Sequence, residues 1–117
     1  MHNFKELNIW NEAKDYCVLI YKVTSNFPAS EIYGITSQIK RAVVSIPSNI
    51  AEGAGRNSDK DFSRFIAISL GSSFELETQL IIANELDFID NEKLKELIKS
   101  LSKIQKMLVN FQKHLNK

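Results

Sequence analysis

DNEKLKELIKSLSKIQKMLVNFQKHLNK, residues 90–117, places Leu94, Leu97, Ile98, Leu101, Ile104, Leu108, Phe111 and Leu115 three or four positions apart. That spacing lays all eight side chains along one side of an α-helix. Asp90 stands where the helix needs an oxygen to receive its first free N–H groups. Lys95, Lys99, Lys106 and Lys113 occupy the opposite side, with Lys103 nearby. A charge run on the back of an apolar stripe reads first as a solvated helix face. One such helix buries its stripe only against others, so the rest of the chain is read for partners.

Working back from residue 90, Ser58 opens a third helix, with Asp61 as a capping partner and Asp59 close to the positive helix end. Phe62, Phe65, Ile66, Ser69, Ser73, Leu76, Leu80 and Ala83 form its core face, and it ends near Leu86. Before it, a second helix from about Ile35 to Ala54 carries Ile39, Ala42, Val43, Ile46 and Ile50. Pro47 lies inside that helix and is expected to bend it, because it lacks a donor and crowds the Val43 carbonyl. Gly53-Ala54-Gly55 ends it. A first helix from about Ile9 to Asn26 has its core face at Ile9, Trp10, Ala13, Cys17, Ile20, Tyr21, Thr24 and Phe27. Phe27-Pro28 stops it. Four helices with short links predict an all-α, antiparallel up-down four-helix bundle with a bent second helix, spanning residues 1–117 as one domain.

The chain has 117 residues and a net charge of +1 from 15 basic and 14 acidic side chains. Such a length encloses a core without staples, and this composition argues against disorder. The charge balance exerts no strong pull toward nucleic acid, although a local basic face is compatible with it. Cys17 is alone and has no disulfide partner. Met1 to Trp10 lacks the pattern of a secretory leader, and the uninterrupted apolar runs are too short to span a bilayer. A cytoplasmic setting is expected, with no membrane partner.

The two middle helices are apolar over more of their circumference than a single bundle hides. On the second, Val44, Pro47 and Ala51 adjoin the core stripe, giving an apolar arc of roughly 200° against the ~100° a surface helix needs. On the third, Leu70, Phe74 and Ile81 form a second stripe, and Ile68, Ile82 and Leu86 lie further round. These two sets are the candidate contact residues of a homo-oligomer.

Catalytic constellations are not apparent. His2 and His114 lie at the chain ends, so neither makes an attractive pair with Cys17, which reads as a small apolar filler. Zinc would need a Cys/His cluster; a di-iron bundle would need inward Glu-x-x-His pairs. Glu52 and Glu75 form an acid–base dyad only if they meet across a helix pair; the competing reading pairs each with Arg41, Arg56 or Arg64. Gly53-Ala54-Gly55-Arg56-Asn57-Ser58 looks like a phosphate loop but lacks the Walker spacing and a preceding strand. The expectation is a non-enzyme without cofactor, metal or small-molecule substrate. A polyanion, if bound, has one candidate site in the turn region at Lys40, Arg41, Arg56, Lys60 and Arg64, and a second on the lysine face of the last helix.

Phe4-Lys5-Glu6-Leu7 with Trp10 and Ala13, Phe27-Pro28, Tyr33-Gly34-Ile35-Thr36-Ser37-Gln38, Arg41-Ala42, Ser45-Ile46-Pro47-Ser48-Asn49-Ile50-Ala51-Glu52-Gly53 with Arg56, Phe62, Phe65, Leu70-Gly71-Ser72 and Glu75-Leu76-Glu77-Thr78 together resemble the small four helix bundle proteins, also called 23S rRNA intervening-sequence proteins. The resemblance implies an up-down bundle assembling into a ring, a pentamer, with RNA or a nucleic-acid-processing protein as partner. It carries over no catalytic residue. It draws Ser45, Asn49, Glu52 and Glu75, with Arg41 and Arg56, into a family-motif polar network, read as holding the second helix against the third or against a neighbour.

Overall fold

The computed structural model describes residues 1–117. Four helices, α1 (Asn8–Thr24), α2 (Ile35–Ala54), α3 (Asp59–Glu85) and α4 (Asn91–Leu115), follow one another, with single 3₁₀ turns at Phe4–Glu6 and Ala29–Glu31. Each packs on its sequence neighbour and α4 closes back onto α1, in a bundle of 43 × 24 × 20 Å. The α2–α3 contact is the most extensive and α1–α4 the least.

Caps set the boundaries. Ser58 Oγ accepts from the Asp61 N–H at 3.1 Å, and Asp90 Oδ1 from the Lys93 N–H at 2.7 Å. Each satisfies one of the donors a helix start leaves free. At the end of α3, Asp87 takes φ 65°. Its N–H donates to the Asn84 carbonyl at 3.0 Å, and Phe88 N–H to the Ala83 carbonyl at 2.9 Å. That is the Schellman pattern, with aspartate where glycine is usual. Phe88, thus turned inward, packs against Phe27 at 5.6 Å between ring centroids. α2 runs unbroken through Pro47.

One contiguous cluster of 22 buried residues forms the core. Each large aliphatic or aromatic side chain fully buried there contributes about 1.5–3 kcal/mol. The stripes expected on α2 and α3 are buried throughout. On α4, Leu97, Leu101, Ile104, Leu108 and Leu115 are buried, and Leu94, Ile98 and Phe111 are half-buried. α1 differs: Ile9, Ala13, Tyr16, Ile20 and Thr24 are buried, Trp10 and Cys17 are half-buried, and Tyr21 is 41% exposed. Its inward face is rotated toward α4 because the Tyr16 hydroxyl finds an acceptor there, the Leu97 carbonyl at 2.7 Å. A buried phenol needs such a partner.

α2 and α3 are in tight contact at Gly53. A Cβ there would stand 2.7 Å from both Phe62 Cδ1 and Phe65 Cβ. α3 is also, by length and composition, a helix able to cross a membrane, which short apolar runs did not foretell. In this fold its inner face packs on α2 and α4, with Ser69, Ser73 and Gln79 among the buried residues.

Candidate assembly and nucleic-acid surfaces

The motif residues of α2 sort into two groups. Ser45 and Asn49 face α3. Ser45 Oγ lies 2.8 Å from Ser72 Oγ, and Asn49 Nδ2 donates to the Ser45 carbonyl at 2.8 Å and to its hydroxyl at 2.9 Å. Ser69 Oγ, from the α3 side, donates to the Ile46 carbonyl at 2.9 Å. These bonds make a polar seam along the α2–α3 contact and fix its register. Glu52 is not in the seam; it pairs with Arg56 at 3.0 Å. Glu75 is exposed and makes no ion pair. Gly53 lies opposite Phe62 and Phe65, and Glu75 is ten residues further along α3, about 15 Å at 1.5 Å per residue. The two carboxylates do not meet, so the dyad reading fails on geometry.

The basic turn cluster does not assemble either. Lys40 and Arg41 sit in the first half of α2, roughly 20 Å along its axis from the end where Arg56 follows. Lys40 Nζ lies 5.0 Å from the centre of the Tyr21 ring. Arg56 and Arg64 both place their guanidinium groups 4.7 Å from the Phe65 ring. Each also has a carboxylate, Glu52 for Arg56 and Asp61 for Arg64 at 3.7 Å. Lys60 is flanked by Asp59 and Asp61. With Glu52, three positive charges are matched by three negative ones, so the turn carries no net positive charge to draw an anion. The loop residues have other partners in place of a phosphate: Ser58 caps α3, and His2 reaches Asp59 at 3.6 Å. His2 is tied down, with its N–H on the Ala54 carbonyl at 2.8 Å and its ring 5.1 Å from Phe62.

Two titratable groups are perturbed. Burial, with a further push from the Glu77 charge, raises the Tyr16 phenol well above its ordinary range. Burial raises the Cys17 thiol, which lowers its thiolate fraction and its reactivity.

The candidate contact residues fall on opposite sides of the bundle. Lys40, Val44 and Ala51 share the side of α2 that adjoins α1, as the Lys40–Tyr21 contact marks. Val44 is exposed there, and Tyr21 and Val18 are exposed on α1. Leu70 and Phe74 border a shallow groove between α3 and α4 with Val109, and Ile81 continues that stripe along α3. Phe74 is 52% exposed and Ile81 41%. Pro47 leaves the contact set, because it is buried against the chain's own core. Ile68, Ile82 and Leu86 lie exposed on the outer side of α3. No exposed large apolar residue lies on α4.

Sequence reasoning did not find Tyr16 or Asp87, and it held Ser72 within a motif without its role. Tyr16 sits at the three-residue step from Ala13 and the four-residue step to Ile20, a signal that was present. Nothing local marks the partner of Ser45, which is 27 positions away.

The arrangement is that of a helical bundle whose polar interior groups serve register and whose outer faces divide into apolar sides and a charged helix. The chain belongs to the 23S rRNA-intervening sequence protein family, whose model matches residues 5–110. A solved structure of a protein with unknown function from the S23 ribosomal protein family of Bacteroides thetaiotaomicron is similar to it. The TM-score is 0.80 at 25% identity, over 90% of this chain and 98% of that one. No curated protein matches the chain.

Proposed function

We propose that this protein is a non-enzymatic scaffold of the cytoplasm that assembles with copies of itself into a closed ring, five-membered by the family resemblance. Its outer surface contacts RNA or a nucleic-acid-associated protein. The observation that carries the assembly is that exposed apolar side chains lie on more than one side, Val18, Tyr21 and Val44 beside the α1–α2 contact and Phe74 and Ile81 on the α4 side of α3, with Ile68, Ile82 and Leu86 on the outer side of α3. A two-fold dimer uses one patch against itself; different patches on separate sides suit a head-to-tail contact, which closes into a ring when the rotation allows. The family's association with 23S rRNA intervening sequences supports the nucleic-acid half. The second reading, a protein-interaction module without nucleic acid, is favoured by the balanced charges of the α2–α3 turn.

Light scattering tests assembly, and a mixing experiment tests its polarity. Val44→Glu and Phe74→Glu each spoil one side, so each variant alone is expected as a monomer. Mixed, they form a dimer through the two intact sides and stop there. If Val44→Glu dimerises alone and mixing adds nothing, the contact is two-fold and the ring is excluded. A wild type that stays monomeric at high concentration removes the scaffold altogether.

A further inference from the structure

We propose that the outer face of α4 is a docking strip for the phosphate backbone of nucleic acid. This deepens the nucleic-acid half of the function above and rests on it, but it moves the contact away from the turn cluster. The near-zero net charge hides a division. Residues 91–117 carry seven lysines and two glutamates, whereas residues 1–90 carry eight basic and twelve acidic side chains. The excess is not scattered over α4. At 100° per residue, Lys95, Lys99, Lys103, Lys106 and Lys113 fall within an arc of roughly 80°, opposite the buried stripe Leu97–Leu101–Ile104–Leu108, with Glu92 in the first turn the one acidic side chain in that arc. All five are exposed. Lys103 is paired with Glu12 at 3.0 Å, and Lys93, outside the arc, with Glu96 at 3.4 Å. Lys95, Lys99, Lys106 and Lys113 have no ion pair, and they span about 27 Å of helix.

A straight row of unpaired cations over that length matches a polyanion with regularly spaced charges rather than a single small anion. An anionic membrane surface is the poorer fit, since an interfacial helix also presents apolar side chains for insertion and this arc has none. No aromatic ring interrupts the lysines, so bases are not stacked and sequence is not read; the contact is with phosphate. RNA and DNA offer the same chemistry, and separate probes distinguish them.

The test is fluorescence anisotropy with a twelve-base-pair duplex, one DNA and one RNA, between 50 and 200 mM salt. Four neutralised phosphates predict a loss of roughly 150-fold in affinity over that range, from a slope of about −0.9 per contact. Lys95→Gln with Lys99→Gln, neither of which borders the Phe74 groove, is expected to cut the loss to roughly 12-fold. Arg56→Gln with Arg64→Gln is expected to leave binding unchanged. Failure of the wild type to bind either duplex overturns the proposal, as does equal binding by the α4 variant. So does binding to vesicles containing anionic lipid without binding to duplex. The solution mass of the α4 variant is measured alongside: a fall in mass assigns the lysines to a neighbouring copy instead. A monomeric wild type that nevertheless binds duplex through α4 refutes the scaffold while this proposal stands; an oligomer that binds nothing does the reverse.

Discussion

Gly53 and Gly71 are both inside helices, and the structure gives opposite signs for replacing them by alanine. At Gly53 the new methyl carbon would lie 2.7 Å from Phe62 Cδ1 and from Phe65 Cβ. Carbon atoms prefer about 3.5–4.0 Å, so the shortfall is close to an ångström. The Phe62 ring has room to tilt only by disturbing its edge contact with Phe111 at 5.1 Å. Phe65 Cβ is fixed to the backbone, so α2 and α3 must separate and stretch the Ser45–Ser72 and Ser69–Ile46 bonds. Overpacking of this kind costs about 1–3 kcal/mol. The gain of alanine over glycine in a helix is about 1 kcal/mol and is smaller in a last turn. The net expectation for Gly53→Ala is a loss of about 1–2 kcal/mol. At Gly71 nothing lies within 4 Å of the new carbon, and the gain of about 0.5–1 kcal/mol is kept. Urea melts at one low protomer concentration read both values, with unchanged slopes certifying that stability alone has moved. In heat, each kcal/mol corresponds to about 4 °C for a chain of this size. A Gly53→Ala protein as stable as the wild type would mean that the close α2–α3 approach, and the seam built on it, is absent. A Gly71→Ala gain at low concentration that turns into weaker association at high concentration would place a neighbouring copy over that glycine.

Tyr16→Phe removes the bond to the Leu97 carbonyl and is expected to cost about 0.5–1.5 kcal/mol. The raised phenol means that the folded chain holds this proton more tightly than the unfolded chain. Its contribution is therefore complete below the ordinary value of 10.0 and is lost as the pH climbs above it. The wild-type advantage over Tyr16→Phe in urea melts should shrink from about pH 10 upward, and an advantage constant to the alkaline limit would contradict the burial of that hydroxyl. Asp87→Gly relieves a left-handed residue and is expected to raise stability by about 0.5–1 kcal/mol in the same melts, with no gain if the α3 terminus is not the Schellman turn.

The parts of the fold legible in the chain are those written in local periodicity and local caps. α2 spans Ile35–Ala54 as its stripe requires, and Ser58 and Asp90 receive the N–H groups their positions imply. α1 was harder because two apolar rows, through Tyr16 and through Cys17 and Tyr21, run side by side along it. Spacing ranks them equally, and the choice falls to a carbonyl 81 positions away. The surfaces were read least well for a related reason. Arg56 and Arg64 count as cations in a sequence, but their carboxylates and the shared Phe65 ring appear only once α2 and α3 are folded together. Val44 and Phe74 belong to one list of apolar positions in sequence and to opposite sides of the bundle in space.

Charge and apolar surface are coupled through α4. The core stripe of that helix is so regular that the lysines have one place to go, a line along its outer edge. A net charge summed over the chain is blind to such a line: of the acidic residues outside α4, Glu12 alone reaches it, at Lys103. One protomer offers four unpaired lysines, a weak grip at cellular salt. Copies joined through the apolar sides repeat the strip at fixed spacing and convert weak contacts into avidity. The two surfaces therefore answer to different lengths of ligand. A short duplex reports the strip alone, whereas a long nucleic acid gains affinity only as fast as the protein assembles. An affinity for long nucleic acid that ignores protein concentration across the assembly transition would uncouple them.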